Sequence, residues 1–483
     1  MRQLGILAGA ERGVHGQERD QPVFKLLSLV LGRGSGQDLE ALVHLERVGG
    51  DRYRPLAELP QAAGELDRDV GLADAGGTEQ GDHLGARHGP EYRGAIRIGT
   101  GISTERDPLA AGTAAARSAA AELDGDRPDL AVVFASGDHL VAPEATLEGV
   151  QAVLDPDALV GCGAGGVLGR GRELESGTAL AVWAATFDDG GAATPFHATL
   201  TETETEQRLE GLPDLEGSSG LLMLSDPYSF PTDAVLEFLS EHAPTVPVLG
   251  GLASGRTSDG EGALFFGDQV HESGAVGVSL QRVEMLPCVS QGAAPLGREV
   301  TITAAEGNII HELAGRPALQ TVEQIISELS PRERGLVAGG LLIGVVIDGG
   351  KPEYTQGDFL VRGVLGADSE SGALVVGTQA APGQVVRLHA RDARSAHEDL
   401  SQALKLRVQA LAGEPAAGAL VFSCNGRGSA MFGIADHDAE AIERELGGAP
   451  SAGFFAAGEI GPVGGRSFLH GFTATLAVFP RAS

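Results

Sequence analysis

The chain has 483 residues, of which 42% are hydrophobic and 21% are charged, a composition that excludes collagen-like and wholly disordered classes. At roughly 150 residues per domain, this length predicts about three domain-sized units. Lysine and arginine number 35 against 66 aspartates and glutamates, and the net charge of −31 disfavours nucleic acid and anionic membranes as partners.

The first 94 residues differ from the rest of the chain. They are rich in glycine and charged residues and show no sustained apolar period of 2 or 3.6. We expect residues 1–94 to form an irregular extension, either a disordered tail or the product of a wrongly placed start codon. No secretory signal and no stretch of 18 apolar residues is found, so a soluble cytoplasmic protein is expected.

From Ile96 onward, short apolar strands alternate with amphipathic helices, which is typical of an α/β protein. A strand is predicted over residues 97–102 and another over residues 130–136. Between them a helix is predicted to begin at Pro108, because Asp107 is a favourable N-cap and proline is tolerated in the first helical turn.

Three segments repeat the order strand, helix, strand and glycine cluster, and each is followed by a further apolar strand. A serine closes the first strand of each copy, at Ser136, Ser225 and Ser423. Duplication would explain this, although convergence in a chain rich in alanine and glycine would also produce it. We predict a mixed α/β fold in which repeated βαββ-type units form two sheet-containing domains with flanking helices. The three segments cover residues 130–166, 221–255 and 419–461.

A domain boundary is expected near residues 285–300, where a connector rich in proline and glycine spans residues 287–297. The predicted domains cover residues 95–290 and 298–483. Between the second and third copies, a helix, three strands and a long helix are predicted over residues 317–329, 336–347, 358–366, 372–379 and 394–412.

Several familiar motifs are absent or incomplete. The segment GCGAGG at residues 161–166 matches GxGxxG but leads into a strand instead of a helix, which argues against a dinucleotide site. The three cysteines form no CxxC pair, and no HExxH is found, so neither a disulfide framework nor a zinc site is predicted. Residues 436–438 could hold a metal ion, but a solvated helix start is the commoner explanation. No cofactor is predicted.

The richest group of polar residues follows the first strand of the third copy. Cys424, Asn425, Gly426 and Arg427 lie there in sequence, and Glu459 lies at the turn after the next strand. Arg427 could favour a thiolate at Cys424 and pair with an anionic ligand, while Glu459 could hold an amino group. These opposite charges suit a zwitterion, although an arginine–glutamate pair that only closes the sheet is an equal alternative.

In these segments the chain resembles the FIST family, with a FIST N domain followed by a FIST C domain across about residues 96–480. FSCNGRG at 422–428 and GFFAAGEIGP at 453–462 carry most of the resemblance. It implies a sensory module that binds small compounds such as amino acids. No kinase, cyclase, chemoreceptor or F-box segment is recognised, so a separate signalling protein is expected to receive the signal.

The expected ligand site comprises Cys424, Asn425, Gly426, Arg427 and Glu459, with Cys162 and Gly163 as weaker equivalents in the first half. One alternative is an enzyme in which Cys424 is the nucleophile. Another is a haem-binding gas sensor with His139 or His197 as axial ligand.

Overall fold

The computed structural model describes residues 96–202, 207–351, 353–411 and 413–481. The extension predicted over residues 1–94 lies outside the described residues. Within them the chain is mixed α/β, as predicted, and forms two compact units. The larger unit contains residues 96–292 and 393–481, and the smaller one contains residues 293–392.

The elements are numbered in chain order, and the first segment of the larger unit contains β1 (Ile96–Ser103), α1 (Pro108–Glu122), β2 (Leu130–Ser136), α2 (Pro143–Leu154), β3 (Ala158–Ala164), β4 (Val167–Gly169), β5 (Arg172–Leu174), β6 (Ala179–Phe187), β7 (Ala192–Glu202), β8 (Gln207–Glu210), β9 (Ser218–Ser225), α3 (Thr232–His242), β10 (Val248–Leu252), β11 (Leu264–Phe266), β12 (Gln269–His271), β13 (Ala275–Gln281) and β14 (Leu286–Gln291). The smaller unit contains β15 (Ala293–Glu306), β16 (Ile309–Leu313), β17 (Arg316–Pro317), α4 (Ala318–Glu328), α5 (Pro331–Val337), β18 (Leu342–Val346), β19 (Phe359–Ala367), β20 (Leu374–Val376) and β21 (Val385–Arg391). The second segment of the larger unit contains α6 (Ala393–Ala410), β22 (Ala416–Cys424), α7 (Ser429–Phe432), α8 (His437–Glu445), β23 (Ser451–Ala456), β24 (Glu459–Val463), β25 (Arg466–His470) and β26 (Thr473–Pro480).

Local sequence explains where two of the helices begin. Helix α1 starts as predicted, because the Asp107 side chain accepts a hydrogen bond from Ala110 N at 2.8 Å. The strand predicted over residues 336–347 is shorter, since α5 occupies its start. Ser330 and Glu333 cap α5 reciprocally in a capping box, which makes the helix the better local structure there.

The three sequence copies share one pattern of strand pairing. In each, the first strand lies between a parallel second strand and an antiparallel closing strand. The second strands carry equivalent glycines, at which a Cβ would lie only 2.0, 1.8 and 1.8 Å from a carbonyl oxygen of the first strand. Only glycine fits such a close approach. The equivalent glycines are Gly161, Gly250 and Gly453.

These registers correct the match between the serines. Gly250 and Gly453 pair two residues before Ser225 and Ser423, whereas Gly161 pairs three residues before Ser136. Because side chains alternate along a strand, Ser136 lies on the opposite face from the other two serines. The equivalence predicted for Ser136 is therefore wrong by one residue. Its true counterparts are the residues that follow the other two serines, namely Asp226 and Cys424.

Each copy completes the sheet of another copy. The hairpin β4–β5 of the first copy pairs with β23 of the third, β24–β25 of the third pairs with β10 of the second, and β11–β12 of the second pairs with β3 of the first. This cyclic exchange closes the larger unit into a pseudo-threefold arrangement. The inner faces of its three sheets share one apolar core, in which Phe134, Phe422 and Phe454 are in ring contact.

The exchange involves strands from both predicted domains, residues 95–290 and 298–483. The connector predicted at residues 287–297 forms parts of β14 and β15 instead of a loop. The chain passes from the larger to the smaller unit within this connector, at residue 293, and re-enters the larger unit at residue 393. The smaller unit is thus an insertion between the second and third copies, and the predicted domain boundaries stay a prediction.

The smaller unit is a sheet that closes on itself. Its strands follow the order β15-β21-β18-β19-β20-β16-β17, and an additional β15–β16 pairing joins the two sides. Helix α4 contributes Val322, Ile325 and Ile326 to the apolar core of this unit. Strand β21 places His389 in the interior, where its ring lies against Gly344 of β18.

The buried His389 should make the smaller unit sensitive to acid. Burial lowers the pKa of His389 to about 4, whereas the unfolded chain binds a proton near the ordinary value of 6.5. Stability should therefore decrease as the pH falls from 6.5 towards 4, by at most about 1.4 kcal/mol per pH unit. Urea unfolding followed by circular dichroism should show this slope. It should become flatter in His389→Gln but not in His311→Gln, and equal slopes in all three proteins would contradict the assignment.

Candidate functional site

The end of β22 opens a turn that is half-exposed on one side and buried on the other. Cys424, Asn425 and Gly426 are half-exposed, whereas Arg427 is buried. The turn is closed by a hydrogen bond from Arg427 N to Cys424 O at 2.9 Å. The residues predicted from the sequence therefore lie together, with the polar main chain towards solvent and the charge beneath it.

Arg427 is held by Asp438, an acid that is not among the predicted site residues. Its Nε and Nη2 donate to the two carboxylate oxygens of Asp438 at 2.5 and 3.0 Å, and both side chains are 1% exposed. Burial, the largest single cause, would raise the pKa of Asp438, but the charges and hydrogen bonds of Arg427 and His437 together outweigh it and the pKa is lowered. His437 supports the same carboxylate through its Nδ1 at 2.9 Å. The pair is a bidentate ion pair inside the protein.

The third guanidinium nitrogen is not used by this ion pair. Arg427 Nη1 has no hydrogen-bond partner among the described residues, and a Cβ on Gly292 would lie 3.1 Å from it. The charge of Arg427 interacts with Cys424 and Glu459 as well as with Asp438. The guanidinium charge of Arg427 thus acts on the turn from its buried side, while Nε and Nη2 remain hydrogen-bonded to Asp438.

Glu459 occupies a position that is apolar in the other two copies. By strand register its counterparts are Val167 and Leu264, both of which lie in the shared apolar core. Glu459 is as completely buried as they are. A carboxyl group costs free energy at such a position, so packing alone does not explain it. In the sheets Val167 pairs with Phe454, Leu264 pairs with Cys162 and Glu459 pairs with Gly251. Each of these partners directly follows the equivalent glycine of its strand, which makes the three positions equivalent.

Specific hydrogen bonds hold the Glu459 carboxyl. Its Oε2 accepts from Thr473 N at 3.0 Å and from Thr473 Oγ1 at 2.6 Å, and the Cys424 side chain is a further hydrogen-bonding neighbour. Burial raises the pKa of Glu459 to about 8, in spite of these hydrogen bonds and of Arg427. The group is therefore mostly protonated at neutral pH and can exchange a proton in the physiological range.

Cys424 differs from its counterparts in the other copies. Ser136 is fully buried, and its hydroxyl donates to Gly177 O at 3.0 Å. Asp226 is 1% exposed and accepts from Arg256 Nη1 at 2.9 Å. Cys424 is half-exposed, and its Sγ accepts from Gly426 N at 3.3 Å. Of these three equivalent strand ends, the one in the third copy presents a reactive group to solvent.

Main-chain contacts between the copies follow the pseudo-threefold pattern on two sides. The positions are counted from the equivalent glycines Gly161, Gly250 and Gly453. In each contact the donor is four residues after one of these glycines, and the acceptor is two residues after the equivalent glycine of another copy. Two of them are direct hydrogen bonds, from Ser254 N to Gly163 O at 3.2 Å and from Ala457 N to Leu252 O at 3.1 Å.

The third contact lies beside the candidate site and is indirect. Gly165 N donates to the Ser254 hydroxyl at 2.9 Å, and that hydroxyl donates to Phe455 O. A Cβ on Gly165 would lie 3.7 Å from Asn425 Oδ1, so the widened contact borders the turn. The Ser254 hydroxyl thus bridges Gly165 and Phe455, beside a direct hydrogen bond from Phe455 N to Gly166 O at 3.0 Å.

The structure gives Cys162 a different place from Cys424. Cys162 is fully buried in β3, its register counterpart is Phe454, and burial raises the pKa of its thiol. Gly163 N donates to Ala263 O at 2.7 Å, so its main chain is part of the contact between copies. The segment that contains Cys162 and Gly163 borders the turn of residues 424–427 at Gly165, which follows them along the chain.

Other residues singled out from the sequence have protein partners. Asp436 Oδ1 accepts from Glu173 N at 2.6 Å, and His437 bonds Asp438. In the part of the chain that the structure describes, no cluster of three or more side chains suited to a metal ion is found. His197 Nε2 bonds Ser273 O at 2.9 Å, whereas both ring nitrogens of the buried His139 lack partners among the described residues.

The partners of Arg427 and Glu459 are not among the residues predicted from the sequence. Asp438 lies within residues 436–438, for which a helix start is the expected explanation, and Thr473 has no predicted role. Asp438 follows Arg427 by 11 residues and Thr473 follows Glu459 by 14, spacings that carry no periodic signal. Only the fold brings these pairs together.

Comparison with known proteins agrees with the resemblance found in the sequence. Residues 129–316 match the FIST N domain and residues 318–462 match the FIST C domain. Uncharacterized proteins of Mycobacterium tuberculosis strain H37Rv and Mycobacterium bovis are each 43% identical over 385 residues, which is 80% of this chain and 100% and 99% of theirs. No helix among the described residues is both long and apolar enough to cross a bilayer. The chain belongs to the FIST family of sensory and signal-transduction domains.

Proposed function

We propose that the protein is a sensor whose ligand is a small polar, amino-acid-like compound bound at the turn of residues 424–427. The observation that carries this proposal is Glu459, a buried acid at a position that is valine or leucine in the other two copies. It lies next to the half-exposed Cys424 and the buried Arg427. A protein that keeps such groups at a cost in stability uses them for binding or chemistry.

The groups at the turn suit a ligand with both a carboxylate and a polar head. Arg427 supplies positive potential, and Asn425 and Gly426 offer an amide side chain and main-chain atoms at the half-exposed surface. Glu459 provides a carboxyl that can accept or donate a proton. Gly165, which follows the strand of Cys162 and Gly163, borders Asn425 and adds to the lining of the proposed binding site.

The output of such a sensor passes to a separate signalling protein in the cytoplasm. The net charge of −31 argues against nucleic acid or an anionic membrane as this receiver. The receiver is therefore a soluble protein that distinguishes the ligand-bound from the ligand-free sensor.

A thermal-shift screen of the full chain against amino acids and small organic acids tests the proposal. A ligand at 100 times its Kd should add about 2.7 kcal/mol and raise the Tm. The shift should be lost in Asn425→Ala and kept in Arg256→Ala, which alters the equivalent strand end of the second copy. A shift that persists in Asn425→Ala, or no shift with any of these compounds, would contradict binding at this turn.

A further inference from the structure

Cys424 is half-exposed and lies close to a carboxyl group, that of Glu459, and to a cation, Arg427. We propose that Cys424 is a nucleophile that adds to the carbonyl carbon of a small aldehyde or 2-oxo acid, with Glu459 relaying the thiol proton. This inference rests on the site of the proposed function and goes beyond reversible recognition of a ligand by hydrogen bonds and charge.

Access separates Cys424 from the other cysteines. Cys162 and Cys288 are buried at 0% and 2% exposure, whereas Cys424 is half-exposed at the end of its strand. Burial raises the pKa of Cys288 to about 12 and also raises that of Cys162. These two thiols are therefore inert near neutral pH and serve as internal references within the same molecule.

Three groups around Cys424 favour a thiolate. Gly426 N donates to Sγ at 3.3 Å, the positive charge of Arg427 acts on the sulfur, and the Glu459 carboxyl is its hydrogen-bonding neighbour. Glu459 is itself oriented by two hydrogen bonds from Thr473. A nucleophile, a base and a group that orients the base are the parts that covalent catalysis requires.

The unpartnered nitrogen of Arg427 is the independent sign of a ligand. Arg427 is 3% exposed, and its Nη1 lacks a hydrogen-bond partner among the described residues. Buried guanidinium nitrogens are normally satisfied, so this one suits the anionic oxygen of a bound compound. A 2-oxo acid carries both the electrophilic carbon and the carboxylate.

The proposed step needs no further reactant. The sulfur forms a bond to the carbonyl carbon while the C=O π bond opens onto oxygen. In the fraction of molecules in which Glu459 is ionised at neutral pH, the thiol proton moves to its carboxylate and from there to the new alkoxide. The product is a hemithioacetal or hemithioketal, which reverts by the same path, so a sensor can report the compound and be reset.

Alkylation of the full chain with iodoacetamide, followed by peptide mapping, tests the nucleophile. At neutral pH we expect Cys424 to react about 100-fold faster than Cys162 or Cys288. Glu459→Gln should slow this reaction about tenfold at neutral pH. Near pH 10 the two rates should converge, because solvent then deprotonates the thiol in both proteins. The matched control is Glu175→Gln, which alters a carboxylate bonded to Ser429 N at 2.7 Å and should not change the rate.

Glyoxylate, which carries an aldehyde and a carboxylate, is the carbonyl probe. It should protect Cys424 from iodoacetamide reversibly, and protection should disappear after dialysis. Alkylation of Cys424 as slow as that of Cys162, or a Glu459→Gln rate that stays low near pH 10, would overturn the nucleophile. If thermal shifts depend on Asn425 while Cys424 is inert, the sensor stands and this inference fails. If Cys424 reacts rapidly with iodoacetamide and glyoxylate protects it, while the ligand screen shows no thermal shift, this inference stands and the sensor fails.

Discussion

Asp438→Asn should destabilise the larger unit by about 3–5 kcal/mol, because it leaves the Arg427 charge buried without its counterion. Both side chains of this pair are 1% exposed, so solvent cannot replace the lost carboxylate. Asparagine keeps the shape of the side chain and one acceptor oxygen, which isolates the effect of charge from that of packing. Urea unfolding at neutral pH measures the change in the free energy of unfolding.

The matched control is Asp126→Asn, which breaks an ion pair between Arg97 and Asp126 that is 41% and 55% exposed. We expect a loss of about 0–1 kcal/mol there, since water screens exposed charges. Equal losses in the two variants would show that the Arg427 charge is not isolated from solvent. The double variant Arg427→Met with Asp438→Leu should recover most of the stability, because both buried charges are then removed together.

Glu459→Leu should make the protein more stable and remove its function. Above the ordinary pKa of 4.5 the unfolded chain loses a proton that the buried carboxyl keeps up to about pH 8. The stability of the wild type therefore falls as the pH rises through this interval, by at most about 1.4 kcal/mol per pH unit. Leucine removes this dependence, and Leu264 shows that the equivalent position accepts it.

The gain should reach about 2–3 kcal/mol near pH 8 and become small near pH 4, because below the ordinary pKa of 4.5 the wild-type carboxyl is mostly protonated in both states. The ligand-induced rise in Tm and the rapid alkylation of Cys424 should both be lost. Urea unfolding at the two pH values checks the first part, and Glu175→Leu is the surface control. A Glu459→Leu protein that is less stable near pH 8 would show that the carboxyl contributes to folding after all.

The two buried acids of the site, Asp438 and Glu459, should differ in how their loss affects stability and function. Asp438 is ionised and is the counterion of Arg427, so its loss should weaken the fold and obscure any separate effect on binding. Glu459 is protonated at neutral pH and replaces an apolar residue, so its loss should leave the fold intact. Glu459 and Cys424 are therefore the positions at which binding and chemistry can be tested without loss of structure.

The sequence by itself determined the elements and the half of the site that is contiguous in the chain. Asp107 caps α1, and β2 has the predicted bounds, because strand patterns and helix caps depend on neighbours within a few residues. The turn of residues 424–427 was recognisable for the same reason, and its motif also identified the FIST family.

The tertiary structure decided which residues complete the site. Arg427 meets Asp438, Glu459 meets Thr473, and Gly165 approaches Asn425 because three copies of one pattern exchange hairpins around a common core. The one-residue offset of Ser136 and the apolar counterparts of Glu459 became visible only through strand register. Hydrogen bonds between strands far apart in the chain set that register, and no local pattern of residues encodes them.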